Sequence, residues 1–164
     1  MNGIENMVTD RTEFDAAAAR AIRDRYAASG DWSGLTAEEH ETLERGYYTR
    51  HSLNRVEAAV EALSDYLAAN GKAVTVSVKT DWAPSDYFTQ AELRRYLGNI
   101  DALRQRFWAL PGMPDTPADI RPWQNANAIE QILANLNSMA DMIERSASFL
   151  PHAGDAYSGE PLSL

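Results

Sequence analysis

Three long amphipathic segments constrain the fold of this chain more than any other feature. In each of them apolar residues recur at steps of three and four, the spacing that places side chains on one face of an α-helix. The three faces, in chain order, are Leu53, Val56, Val60, Leu63 and Leu67; Leu93, Leu97, Ile100, Leu103 and Phe107; and Ile129, Ile132, Leu133, Leu136, Met139 and Ile143. Because each helix has a single apolar face, the three bury those faces against one another. The pattern predicts a three-helix bundle.

Polar residues ahead of these segments indicate where the helices begin. Asn54 with Glu57, and Thr89 with Glu92, have the spacing of a capping box, in which two side chains bond the free amides of a first turn. We therefore expect these pairs to cap the first and second of the three helices. The third is expected over about residues 125–146.

A weaker helical pattern precedes the three long segments. An alanine-rich helix is predicted over about residues 11–28, with Asp10 and Glu13 as its capping pair. Thr36 opens a second, acidic helix that Gly46 closes. The short turn between them predicts an N-terminal helical hairpin.

One short segment has the periodicity of a β-strand. Val74, Val76 and Val78 alternate with smaller or polar residues, which is the period of an extended chain with one buried face. A single strand cannot satisfy its own amides and carbonyls, so it needs a partner from the tail, another loop or another chain. The segment predicts a minor β element.

The predicted fold is therefore mainly α: a three-helix bundle with an N-terminal helical hairpin and a minor β element. We divide the chain into the hairpin, residues 1–50; the bundle with its β segment, residues 51–147; and a C-terminal tail, residues 148–164, which has no helical period.

The composition argues against several functions. Fifteen Lys and Arg against twenty-four Asp and Glu give a formal net charge of −9, which repels nucleic acid and anionic lipid, and no segment has the length of a bilayer span. The chain has no Cys, and no serine lies in a Gly-x-Ser-x-Gly nucleophile elbow. His40 and Glu44 share a helix face, but a solvated acidic face explains them better than a metal site. We predict no catalytic residues, cofactor or metal, and no enzyme activity.

A protein–protein interface is the remaining chemical prediction. The unpaired strand offers an edge for another chain, and nearby aromatic rings supply large contact area at low entropic cost. The candidate interface residues are Val74, Val76, Val78, Trp82, Tyr87, Phe88 and Tyr157. The alternative is that the rings only cover an open end of the bundle.

Six short segments in a fixed order resemble a family of small proteins encoded in phages and prophages of Gram-positive gut bacteria, among genes of the tail and tail-fibre region. The segments are residues 9–12 (TDRT), 53–57 (LNRVE), 79–82 (KTDW), 95–100 (RYLGNI), 126–133 (ANAIEQIL) and 157–160 (YSGE). The resemblance brings no catalytic or ligand residues. It implies a virion structural or tail-accessory protein, made in the host cytoplasm, that binds other virion proteins or forms a homo-oligomer.

An acidic stretch leaves a second function open. Glu38, Glu39, Glu41 and Glu44 offer negative charge that imitates a phosphate backbone. The alternative hypothesis is therefore a phage-encoded acidic inhibitor of a host nucleic-acid enzyme.

Overall fold

The protein is mainly helical. A computed structural model describes residues 4, 6–107 and 111–149, the last three through their backbone alone. The five helices are α1 Glu13–Ser29, α2 Ala37–Gly46, α3 Arg50–Ala69, α4 Gln90–Arg106 and α5 Trp123–Phe149. Tyr157 and nearly all of the predicted tail lie outside these residues. None of the helices in the described ranges combines the length and the apolar character needed to cross a membrane.

The three long helices α3, α4 and α5 contact one another pairwise, as their apolar faces predict. The residues that line their common core without any exposure include Val56 and Leu63 of α3, Ile100 and Leu103 of α4, and Ile129, Ile132, Leu133 and Leu136 of α5. Ile143 departs from the prediction, because it lies near the end of α5 with 46% of its surface exposed. The apolar periodicity thus locates the core correctly over most of each helix.

Two of the four predicted helix caps are confirmed. Thr36 accepts from the amide of Glu39 in a full capping box, and the Thr89 hydroxyl accepts from the amide of Glu92 at 3.3 Å. The other two are wrong. Thr49 caps α3, so Asn54 lies inside that helix, and the cap of α1 is Thr12.

Gly46 sets the distance between the two helices of the hairpin. It ends α2, as predicted, but its position is also fixed by contact with α1: a Cβ atom on Gly46 would lie 2.2 Å from the Ala19 Cβ and 2.4 Å from the Asp15 carbonyl oxygen. Both distances are far inside van der Waals contact, and one of the atoms is backbone. The helices of the hairpin approach this closely only because residue 46 has no side chain.

We expect Gly46→Ala to destabilise the hairpin by about 1–3 kcal/mol, the usual range for forcing a methyl group into packed structure. Gly98→Ala in α4 is the matched control, because a Cβ there meets no atom within 4 Å. That change is expected to stabilise α4 by about 0.5–1 kcal/mol. Urea unfolding of the two variants measures the difference, and equal effects would contradict the close approach.

The predicted β element has no counterpart among the described residues, none of which is assigned to a strand. Residues 73–79 nevertheless have the predicted alternation: Val74, Val76 and Val78 are half-buried and pack against the core, whereas Thr75 and Ser77 are exposed. The segment is extended, but its partners are side chains of helices rather than a second strand.

Candidate functional site

The predicted interface residues fall into two groups. Trp82 is buried, with 6% of its surface exposed, and Phe88 packs between Trp82 and Tyr96, with ring centroids 5.4 and 5.9 Å apart. These two rings cover the core, as the alternative interpretation expects. Tyr87 is 86% exposed and faces solvent.

Side chains of α3 and α4 bind the backbone of residues 73–79 in place of a strand. The Asn99 amide accepts from Ser77 N at 3.1 Å and donates to Ser77 O at 2.6 Å, the two-bond exchange that paired residues of an antiparallel sheet make. The Ser64 hydroxyl donates to the carbonyl of Val74 at 3.0 Å. Both backbone groups of Ser77 and the carbonyl of Val74 are therefore bonded within the chain.

Glu57 of α3 organises the end of this segment. Its side chain is 1% exposed, and the Arg95 guanidinium donates to both carboxylate oxygens, at 2.5 and 2.8 Å. The amide of Lys79 donates to the same carboxylate at 2.9 Å, and the Trp82 indole N–H at 3.3 Å. Asn54, one turn earlier, exchanges two bonds with the backbone of Trp82, at 2.8 and 3.3 Å. We call Asn54, Glu57 and Arg95, with residues 79–82, the central clamp.

Glu130 of α5 organises the N-terminal segment in the same way. Its side chain has no exposure and binds two guanidinium groups, with Arg11 Nη2 at 2.6 Å and Arg55 Nη2 at 2.9 Å from Oε1. The amide of Val8 donates to Oε2 at 2.6 Å. Asn127 exchanges two bonds with the backbone of Arg11, at 3.1 and 2.9 Å. We call Asn127, Glu130 and Arg55, with residues 8–11, the N-terminal clamp.

The two clamps are an internal repeat in both sequence and geometry. Each consists of Asn-x-x-Glu on one helix, an arginine from a neighbouring helix and an extended x-Thr-Asp-x segment, VTDR at residues 8–11 and KTDW at 79–82. In each, the glutamate accepts from the first amide of the segment and the asparagine binds the backbone of the fourth residue. Burying a carboxylate is costly without a paired charge and hydrogen bonds, and in each clamp the arginine and the backbone amide supply them.

Two tyrosines, the half-buried Tyr48 and the buried Tyr96, connect the clamps. The hydroxyl groups of Tyr48 and Tyr96 are 2.5 Å apart, and Tyr48 lies under the Arg11 guanidinium, 5.6 Å from the ring centroid. Tyr96 directly follows Arg95 of the central clamp. Burial raises the pKa of both phenols well above the ordinary value, so both stay protonated and each can donate a hydrogen bond.

The pair considered from sequence, His40 and Glu44, lies at a different place, in a cleft of about 420 Å³ between α2, the start of α3 and residues 82–88. His51 Nε2 is 3.6 Å from the Glu44 carboxylate, and His40 and Asp86 also line the cleft. In the part of the chain that the structure describes, no group of three His, Asp or Glu side chains is placed to hold a metal ion.

Sequence reasoning missed the clamps although their residues were in view. Five of the six segments that resemble the phage family lie among the residues that the structure describes. All five contribute to the clamps: residues 9–12, 53–57, 79–82, 95–100 and 126–133. The available signal was the repetition itself, since Thr-Asp occurs only at residues 9–10 and 80–81. Comparisons of the chain with protein-family models, curated proteins and solved structures find no match.

Proposed function

We propose that this chain is a structural or tail-accessory protein of a phage virion, working by protein–protein assembly rather than catalysis. In this proposal α3, α4 and α5 form a three-helix bundle, and a few buried polar side chains at its side hold an extended segment at the surface. The resemblance of the clamp segments to phage tail-region proteins supports the proposal. The proposed partners are other virion proteins or further copies of the chain.

The observation that carries the proposal is the outer edge of the extended segment at Val76 and Val78. In an extended chain, the N–H and C=O of neighbouring residues point to opposite edges. Ser77 and Lys79 bond the helices, so the backbone groups of Val76 and Val78 point away from them. Within the described ranges those groups make no hydrogen bond. An edge held straight and unpaired in this way accepts an extended segment of another chain, and the minor β element forms on assembly.

The function is tested by locating the chain in purified particles. We expect mass spectrometry of gradient-purified virions to find it, and dissociated particles to yield it together with tail proteins. In a pull-down from host lysate, retention of one nuclease or polymerase would instead support the acidic-inhibitor alternative. Absence from the particles would overturn the virion proposal.

The edge is tested with two proline variants of the same segment. Val76→Pro removes an outward-facing amide, and we expect it to abolish incorporation into particles. Thr75→Pro removes an amide on the opposite edge, which makes no hydrogen bond in the described chain, and is the control. Equal incorporation of the two variants would contradict the edge as the contact.

A further inference from the structure

The N-terminal clamp holds a segment that belongs to a separable part of the chain. Ile4 and residues 6–11 are here called the arm; Ile4 lies in the core, and Arg11 is buried to 2% exposure against Glu130. The arm leads into the hairpin, whose helix α1 packs extensively on α2, whereas α3, α4 and α5 make their extensive helix contacts with one another. The arm is thus the main anchor of the hairpin on the three long helices.

A short extended connector joins the hairpin to α3. It consists of Tyr47, Tyr48 and Thr49, and its ends have extended backbone angles, with φ −125° and ψ 152° at Tyr47 and φ −89° and ψ 173° at Thr49. Because Tyr48 is held by Tyr96, the hairpin turns outward or inward at Tyr47, through a change of few dihedral angles. Such a hinge is what two identical chains need in order to exchange an N-terminal element.

The junction also contains unsatisfied polar atoms. Among the described side chains, the atoms buried without a hydrogen-bond partner include Arg11 Nε in the arm, Tyr47 OH in the connector and Ser52 Oγ in the first turn of α3. Buried polar atoms without partners are costly, and here three of them occur where the arm, the connector and α3 meet. The arrangement within one chain therefore leaves polar atoms of Arg11, the connector and the start of α3 without partners, whereas Asn127 and Glu130 are bonded to the arm.

We propose that the arm of one copy of this chain occupies the N-terminal clamp of a second copy, so that the partner copy supplies Val8 and Arg11 to Glu130. Every clamp contact is the same within one chain or between two, so exchange retains the ion pairs and changes only the hinge. The central clamp cannot exchange alone, because residues 79–82 lie between α3 and α4. The inference deepens the proposed assembly function by naming a second copy as one partner.

Complementation between two damaged copies tests the exchange. Arg11→Ala damages the arm and leaves the helix side chains Asn127, Glu130 and Arg55 intact, whereas Glu130→Gln damages those helix side chains and leaves the arm intact. When the two are unfolded and refolded together, a mixed dimer with exchanged arms has one native clamp, which no monomer or homodimer of either variant has. We expect native mass spectrometry to show that mixed dimers make up more than the half of all dimers that random pairing gives. We also expect the mixture to show an unfolding transition at higher urea concentration than either variant alone.

A hinge variant tests the inference without touching the clamp. Four Gly and Ser residues inserted between Tyr47 and Tyr48 allow the arm to return to its own chain, so we expect the dimer of the unsubstituted protein to be lost. A protein that stays monomeric at high concentration, or mixed dimers at the random proportion, would overturn the exchange. Mixed dimers at the random proportion would indicate that two copies bind through the outer edge instead. Neither outcome tests whether virions contain the chain.

Discussion

Glu130→Ala is expected to lower the free energy of unfolding by about 3–5 kcal/mol, the range for removing one partner of a buried ion pair. The carboxylate is completely buried and is shared by Arg11 and Arg55, so both guanidinium groups lose their counter-charge at once. The amide of Val8 also loses its acceptor. Since whole domains are stable by about 5–15 kcal/mol, this single change removes a large part of the total.

Glu61→Ala is the control for this experiment, because Glu61 lies on the exposed face of α3. Exposed substitutions of this kind usually change stability by less than about 0.5 kcal/mol. Urea unfolding followed by circular dichroism measures both variants. A loss below about 1 kcal/mol for Glu130→Ala would equal the contribution of an exposed ion pair. It would contradict a buried Glu130 that stabilises the N-terminal clamp.

In the central clamp, Glu57→Ala is expected to lower the free energy of unfolding by about 3–5 kcal/mol, because it too removes one partner of a buried ion pair. Arg95 would lose both of its bonds to Glu57, and the Lys79 amide and Trp82 indole would lose their acceptor. The indole N–H resonance of Trp82 should also shift, which locates the change at the clamp.

Glu92→Ala is an unusually close control for Glu57→Ala. Glu92 binds the same Arg95, with Nε to Oε2 at 2.7 Å, but its side chain is 33% exposed. Solvent screens such a pair, so we expect a loss of no more than about 1 kcal/mol. If the two variants lost equal stability, the burial of Glu57 would not be the source of the effect.

The parts of the fold that follow from local sequence were predictable. The caps at Thr36 and Thr89 depend on residues three positions away, and the apolar faces of α3, α4 and α5 depend on helical period alone. The alternation of Val74, Val76 and Val78 correctly gave the buried side of an extended segment. Each of these features is determined within a few residues of the chain.

The clamps were not predictable in this way, because their pattern imitates a cap. Asn54 with Glu57 has the spacing of a capping box, but the helix already begins at Arg50, so both side chains are free to bind another segment. The prediction that Asp10 and Glu13 cap α1 was wrong for a related reason. The backbone of Arg11 is held extended by Asn127, which is 116 positions away in the sequence, so α1 starts later.

Amide hydrogen exchange tests the central claim most directly, namely that helix side chains hold both extended segments. We expect slow exchange for the amides of Val8, Ser77 and Lys79, which donate to buried or half-buried side-chain oxygens. Their neighbours Val76 and Val78, which donate to no group in the described chain, should exchange fast. Uniform fast exchange through residues 74–80, or protection of Val76 and Val78 instead, would contradict the account.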